Sequence, residues 1–160
     1  MAMFTAEKAL RAMEKTPLVL NYIIHNLTNE QAKQLAPTAK GWNAVEVMCH
    51  LMDFEEIFFT RAKRMISENK PEFQSSDPDG LAIKHDYANQ DIHDMFERFV
   101  QLRKEHIAFL TPLQEEEWSR RGVHSSAGVI TVLEQATNMG LHDLNHIAQM
   151  TEALGVVNNK

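Results

Sequence analysis

Apolar residues recur at spacings of three and four over four stretches of the chain, and each stretch reads as an amphipathic helix. In the first, about Thr5 to Asn26, one face carries Ala9, Leu10, Met13, Leu20, Ile23 and Ile24, with Leu27 just beyond. Pro17 lies inside this stretch and should kink it or divide it in two, because proline lacks the N–H of a helix interior. The second stretch runs from Asn43 to about Ser67 and aligns Val47, Leu51, Phe54, Phe58 and Met65. Its start, Asn43 followed by Glu46, has capping-box spacing. The third begins at Asp91, a suitable N-cap, and aligns Met95, Phe96, Phe99, Val100, Ile107 and Leu110 before Pro112 ends or bends it. The fourth opens on a second capping box, Thr131 with Glu134, and reaches Leu154, where Gly155 is placed to stop it.

The connections lack sustained periodicity. Asn29 to Gly41 contains a proline and a glycine, and Lys70 to Asn89, with PEFQSSDPDG, reads as a long loop. The last connection holds Trp118 and the small-residue run Ser125 to Gly128. No segment signals a strand, and no internal repeat is present. Four such helices bury their apolar stripes most simply as an all-α four-helix bundle, one domain over residues 1–160. The long connection between the second and third helices permits a crossover, giving an up-down-down-up order.

Composition narrows the function. The chain has 160 residues, enough for one hydrophobic core and too few to argue for two. With a net charge of −6 and no more than three cations in its densest run, Arg61 to Arg64, it lacks the basic patch of a nucleic-acid groove. Cys49 is the only cysteine, which excludes an intramolecular disulfide and suits a reducing compartment. The stretch MAMFTAEKALRAMEK carries charges where a signal peptide would be apolar, and no run is long enough to span a bilayer. A cytoplasmic location is expected.

Candidate chemistry lies among the histidines. His25, His85, His93, His106 and His124 fall near helix ends, in loops or without obvious partners, and read as structural or solvent-facing. His142 and His146 stand at i and i+4 in HDLNH, which sets both imidazoles on one helical face, about 5 to 6 Å apart at Cβ. They fall about 130° and 90° from the centre of the fourth helix's apolar arc, and His50 about 80° from that of the second. Such shoulders can be walled by apolar groups and still admit water. If the second and fourth helices run antiparallel, the 1.5 Å rise per residue brings all three histidines to nearly one height. Three histidines with an open fourth position form the ligand set of a catalytic divalent metal. Cys49 points about 100° away from His50 and is not counted as a ligand.

The segments GWNAVEVMCHLMDFEEIFFTRA, Gly41 to Ala62, and GVITVLEQATNMGLHDLNHIAQM, Gly128 to Met150, resemble the DinB-like superfamily of four-helix-bundle metalloproteins. Members show a comparable tryptophan, then HL-x-D on the second helix and HD-x-x-H-x-x-Q on the fourth. The resemblance implies the crossover bundle, frequent homodimers, and a three-histidine centre for zinc, nickel or a similar ion, carried here by His50, His142 and His146. Some members transfer low-molecular-weight thiols onto electrophiles or isomerise small acids with such a thiol.

The residues leave three functions open: a thiol S-transferase acting on a small molecule, a hydrolase of an amide or ester, and a metal-binding stress or sensor protein without catalysis. Asp53, at i+3 from His50, is a candidate catalytic group that could orient an imidazole or accept a proton. Arg61 shares the His50 side of its helix, about three turns on, and could receive an anionic substrate group. Asp143 points toward the apolar arc and is expected to bond inside the bundle.

Overall fold

The computed structural model describes residues 5–156. The four predicted helices are present as α1 (Ala6–Ile24), α3 (Ala44–Ser67), α5 (Ile92–Leu110) and α7 (Val132–Ala153). Three short helices lie between them: α2 (Asn29–Lys33), α4 (Pro78–Lys84) and α6 (Glu115–Trp118). Both expected capping boxes close, Asn43 with Glu46 and Thr131 with Glu134, satisfying backbone N–H groups that a helix start leaves orphaned. The Asp91 carboxylate accepts from the His93 and Asp94 N–H groups. Gly155 takes up a positive φ of 73° just beyond α7.

Pro17 does not divide α1, which is continuous from Ala6 to Ile24. A proline at this position leaves the carbonyl four residues earlier, that of Met13, without its helical donor. Arg103 Nη1 fills that vacancy from α5 at 3.1 Å. The helix therefore survives its proline through a tertiary hydrogen bond that local pattern does not reveal.

The expectation of no strands is corrected. β1 (Glu72–Phe73), β2 (Arg121–His124) and β3 (Gly128–Thr131) form a small sheet, with β1 parallel to β2 and β2 antiparallel to β3. Strands of two and four residues are too short to show a period. The small-residue run is the hairpin turn, closed by Gly128 at φ 75°. The segment Lys70 to Asn89 is likewise more than a loop, since it contains β1, α4 and a 3₁₀ turn at Tyr87–Asn89. Asp77 caps α4 by accepting from the Gly80 N–H, with Pro78 opening the helix.

The interior is layered. One apolar cluster gathers Leu20, Ile24, Val47, Leu51, Ile92, Phe99 and Met150; a second gathers Met13, Met65, Leu110, Trp118, Val132 and Met139. Each long helix carries buried polar residues between its contributions to the two clusters: Thr16 on α1, Glu55 on α3, Arg103 and His106 on α5, Asp143 on α7. Between α1 and α7, Gly140 comes so close to Ala12 that a Cβ there would lie 3.2 Å from it, and Thr16 bonds Asp143. Between α3 and α7, His50 meets His142, and Gln135 Nε2 donates to the Phe58 carbonyl. Between α3 and α5, Glu55 meets Arg103, and Phe59 stacks on His106.

Candidate metal centre

The capping box at Asn43 fixes the start of α3, and seven residues later, about 10 Å along its axis, the helix presents His50. Opposite, α7 presents His142 and His146 one turn apart. The three residues each offer a ring nitrogen, all within 4.8 Å of one another. His50 Nε2 and His142 Nε2 stand 3.1 Å apart. Two nitrogens on one tetrahedral ion, each about 2.0–2.1 Å from it, would be roughly 3.3 Å apart, so this spacing suits a shared ion.

The outward ring atoms also fit that use. His146 Nδ1–H donates to Gln149 Oε1 at 2.8 Å, which leaves the Nε2 lone pair free for the centre. His142 Nδ1 lies 3.9 Å from Asp143 Oδ1, too far for a hydrogen bond. His50 is only 3% exposed, and its Nδ1 has no hydrogen-bond partner among the described residues.

Burial, and then the neighbouring His146 and His142, push the His50 pKa down to about 3. Burial and His142 also lower that of His146, against an upward pull from Gln149 and Asp143. Both rings are thus neutral at physiological pH, the form that ligates metal. Phe54 packs 4.2 Å from the His50 ring and stacks on His142 at 5.0 Å, while Trp42 lies 5.0 Å from His50. In front of the histidines is an open cavity of about 490 Å³, walled by Trp42, Pro78, Asp79 and Gln149.

Asp53 and Arg61 are not in that cavity. Both line a separate one of about 590 Å³ on the other side of α4. Asp53 is nearly buried, and its Oδ2 accepts from Tyr87 at 2.6 Å and from His85 Nδ1 at 2.7 Å, not from His50. Arg61 Nη2 donates to the Gln74 carbonyl at 2.8 Å and to Ser76 Oγ at 3.4 Å. Asp143 bonds inside the bundle, as its direction on the helix suggests, accepting from Thr16 and Arg103.

Sequence reasoning assigns no role to Gln149, although its place three residues after His146 marks it as a neighbour on the same helix face. It also passes over His85 and His106, each held by a carboxylate from α3 that lies over thirty residues away in sequence. The remaining histidines have ordinary duties: His93 Nε2 donates to the Leu27 carbonyl, His25 bonds its own helix end, and His124 Nδ1 accepts within the hairpin turn.

Comparison with known proteins follows the same lines. The family model described as the DinB superfamily matches residues 12–150. YfiT from Bacillus subtilis, described as a probable metal-dependent hydrolase with an unusual four-helix bundle topology, superposes with a TM-score of 0.84 at 21% identity, covering 96% of this chain and 87% of its own. A conserved protein from Enterococcus faecalis superposes with a TM-score of 0.67 at 12% identity, covering 99% of this chain and 100% of its own. At these identities the likeness is one of fold. No curated protein matches in sequence.

Proposed function

The chain belongs to the DinB superfamily, and on that premise we propose that it is a metal-dependent enzyme acting on a small molecule at His50, His142 and His146. The observation that carries this reading is the convergence of three ring nitrogens within 4.8 Å at the floor of an open cavity. A divalent ion such as zinc or nickel, when bound, supplies a Lewis acid that lowers the pKa of a water or thiol at its open position. The histidines hold it as neutral donors, Gln149 orients His146, and Trp42 and Phe54 keep bulk water from the inner side of the rings. The same reading takes the bundle as up-down-down-up; the pairings of Ala12 with Gly140 and Thr16 with Asp143, of His50 with His142 and Phe58 with Gln135, and of Glu55 with Arg103 and Phe59 with His106 support it.

Among reactions, we favour transfer of a low-molecular-weight thiol to an electrophile. Hydrolysis is helped by a carboxylate base beside the attacking water, but Asp53 and Asp143 are both engaged elsewhere. A thiol needs no such group once its proton has been lost. Hydrolysis is the second reading, favoured by the description of YfiT and by Asp79, the one carboxylate among the described residues lining the cavity.

Elemental analysis of the purified protein should find near-stoichiometric divalent metal that a chelator removes. His146→Ala should stay helical by circular dichroism and lose at least about 100-fold in metal affinity, more than outer partners of a ligand usually contribute. Negligible metal after reconstitution with zinc and nickel would refute the centre. Ester or amide turnover without added thiol, lost in His142→Ala, would select the hydrolase. Firm metal binding with no turnover of esters or amides, and none of electrophiles with added thiol, would leave a sensor or buffer.

A further inference from the structure

α4 separates two cavities that share no lining residue: Pro78 and Asp79 face the histidines, whereas Leu81 and Lys84 face the Asp53 and Arg61 side. We propose that the second cavity is a ligand site of its own, for a small organic anion that also carries an ionisable O–H or S–H group. Arg61 anchors the anion, and His85, fixed by Asp53, accepts the proton.

Two observations support this assignment independently. The first is the Asp53–His85 pair. The Asp53 carboxylate can only accept, so the ring nitrogen 2.7 Å away carries a proton, and in the neutral ring the lone pair is then on His85 Nε2. That nitrogen has no hydrogen-bond partner among the described residues, and His85 lines the cavity with its side chain 41% exposed. A buried carboxylate that sets the tautomer of a half-exposed imidazole is the arrangement by which acyl-transfer enzymes prepare a general base. Tyr87 donates to the same Asp53 Oδ2 at 2.6 Å and helps to fix the carboxylate.

The second is Arg61. Its guanidinium is half-buried, lies 5.7 Å from the Phe73 ring centroid, and has no ion-pair partner among the described residues. Both of its hydrogen bonds leave from Nη2, so Nε and Nη1 remain as donors. Arg64, on the same wall, is instead committed to Glu68 in a two-pronged pair. Burial lowers the Arg61 pKa, a sign that its charge is under-compensated. Glu56 and Glu72 also line the cavity, and Lys84 partly offsets them.

Asp53 and Arg61 lie eight residues apart on α3, about 12 Å along the axis, and with His85 they line the same cavity. In the step itself the X–H bond breaks and its proton passes to His85 Nε2. The bonding pair stays on X, and Asp53 remains a carboxylate beside the imidazolium.

The test uses 4-hydroxy-3-nitrophenylacetate, whose carboxylate suits Arg61 and whose phenol turns yellow on ionisation. With the purified protein, at a pH just below the probe's own phenol pKa, saturable binding should raise the phenolate absorbance. Arg61→Gln should weaken binding by about tenfold or more. His85→Gln should bind within about threefold of the parent yet show no phenolate rise. His146→Ala should keep both signals, which separates this site from the metal centre whether or not the metal reading holds. The proposal is overturned by absence of saturable binding, by binding indifferent to Arg61→Gln, by a phenolate rise that persists in His85→Gln, or by loss of both signals in His146→Ala.

Discussion

His142 and Asp143 are neighbours on α7, yet they belong to clusters built on opposite terms. Asp143 joins a closed ionic set: Arg103 Nη1 reaches it at 2.8 Å and Thr16 Oγ1 at 2.7 Å, while Arg103 Nη2 and Nε hold Glu55 Oε2 at 2.7 and 2.8 Å. His106 Nδ1 completes Glu55 at 2.9 Å. Burial alone would raise the Asp143 pKa, but His142, Arg103 and Thr16 bring it below the ordinary carboxylate value. Burial also works against the Arg103 charge, and Glu55 and Asp143 reverse that effect. One guanidinium bridges both carboxylates, and all three side chains are buried. The histidine cluster has the reverse character: three nitrogen donors with no anion among them, one buried Nδ1 without a partner, depressed basicity and an open side. Complete satisfaction marks structure; a convergent set of unsatisfied donors at a cavity marks a ligand site.

The contrast is broken most severely at Arg103. Arg103→Met leaves Glu55 and Asp143 buried without a cation and returns the Met13 carbonyl to its orphaned state beside Pro17. Loss of one partner from a buried ion pair costs about 3–5 kcal/mol, so this variant should fail to fold or show a sharply lower denaturant midpoint. A midpoint within about 1 kcal/mol of the parent would show that the closed cluster does not hold the helices together.

Acid should separate the two clusters by pH. His50 has a folded pKa of about 3 against an ordinary 6.5. The unfolded chain therefore takes up the proton first, so stability is full above about pH 6.5 and declines as pH falls toward 3. In chelator-treated protein the loss by about pH 4.5 should reach roughly 2 to 3 kcal/mol. Asp143, whose pKa is depressed, contributes stability that stays intact until pH falls below the ordinary carboxylate value, so its cluster should yield in a second, more acidic window. Denaturant midpoints across this range test the order. A flat profile between about pH 6.5 and 4.5 would contradict the burial that holds His50 neutral.

The legible part of the molecule was local. Asn43, Thr131 and Asp91 announce their helices because capping is a relation between residues three apart. HDLNH announces its pair because i and i+4 share a face. His50 joins that pair only through helix phase and an assumed antiparallel packing, a longer inference. Arg103 was not legible: a charged residue on a helix reads as solvated until Glu55, 48 positions away, and Asp143, 40 away, are seen to enclose it. The partners of Asp53 were hidden for the same reason. Its spacing from His50 is favourable, but His85 and Tyr87 arrive from a segment without periodicity and turn its carboxylate to the other side of α4.

Cys49 tests the comparison at its smallest expected effect. It adjoins His50 in sequence, and a thiol beside a metal centre invites the reading that the protein supplies its own nucleophile. The helix places it otherwise: it is buried and lines a cavity with Tyr87, Gln90 and Arg98, on the side away from the histidine cavity. Burial, then the charges of Asp53 and Glu46, push its pKa up to about 12, so the nucleophilic thiolate is almost absent at neutral pH. Any thiol used at the centre must then come from solution. Cys49→Ser should leave a metal-dependent rate with an added small thiol within about twofold of the parent, at a stability cost of about 1 kcal/mol for the buried hydroxyl. The same rate should vanish in His142→Ala. A turnover that needs no added thiol and disappears in Cys49→Ser would place the reactive sulfur inside the protein, and would mean that α3 rotates or frays during the reaction to bring it round.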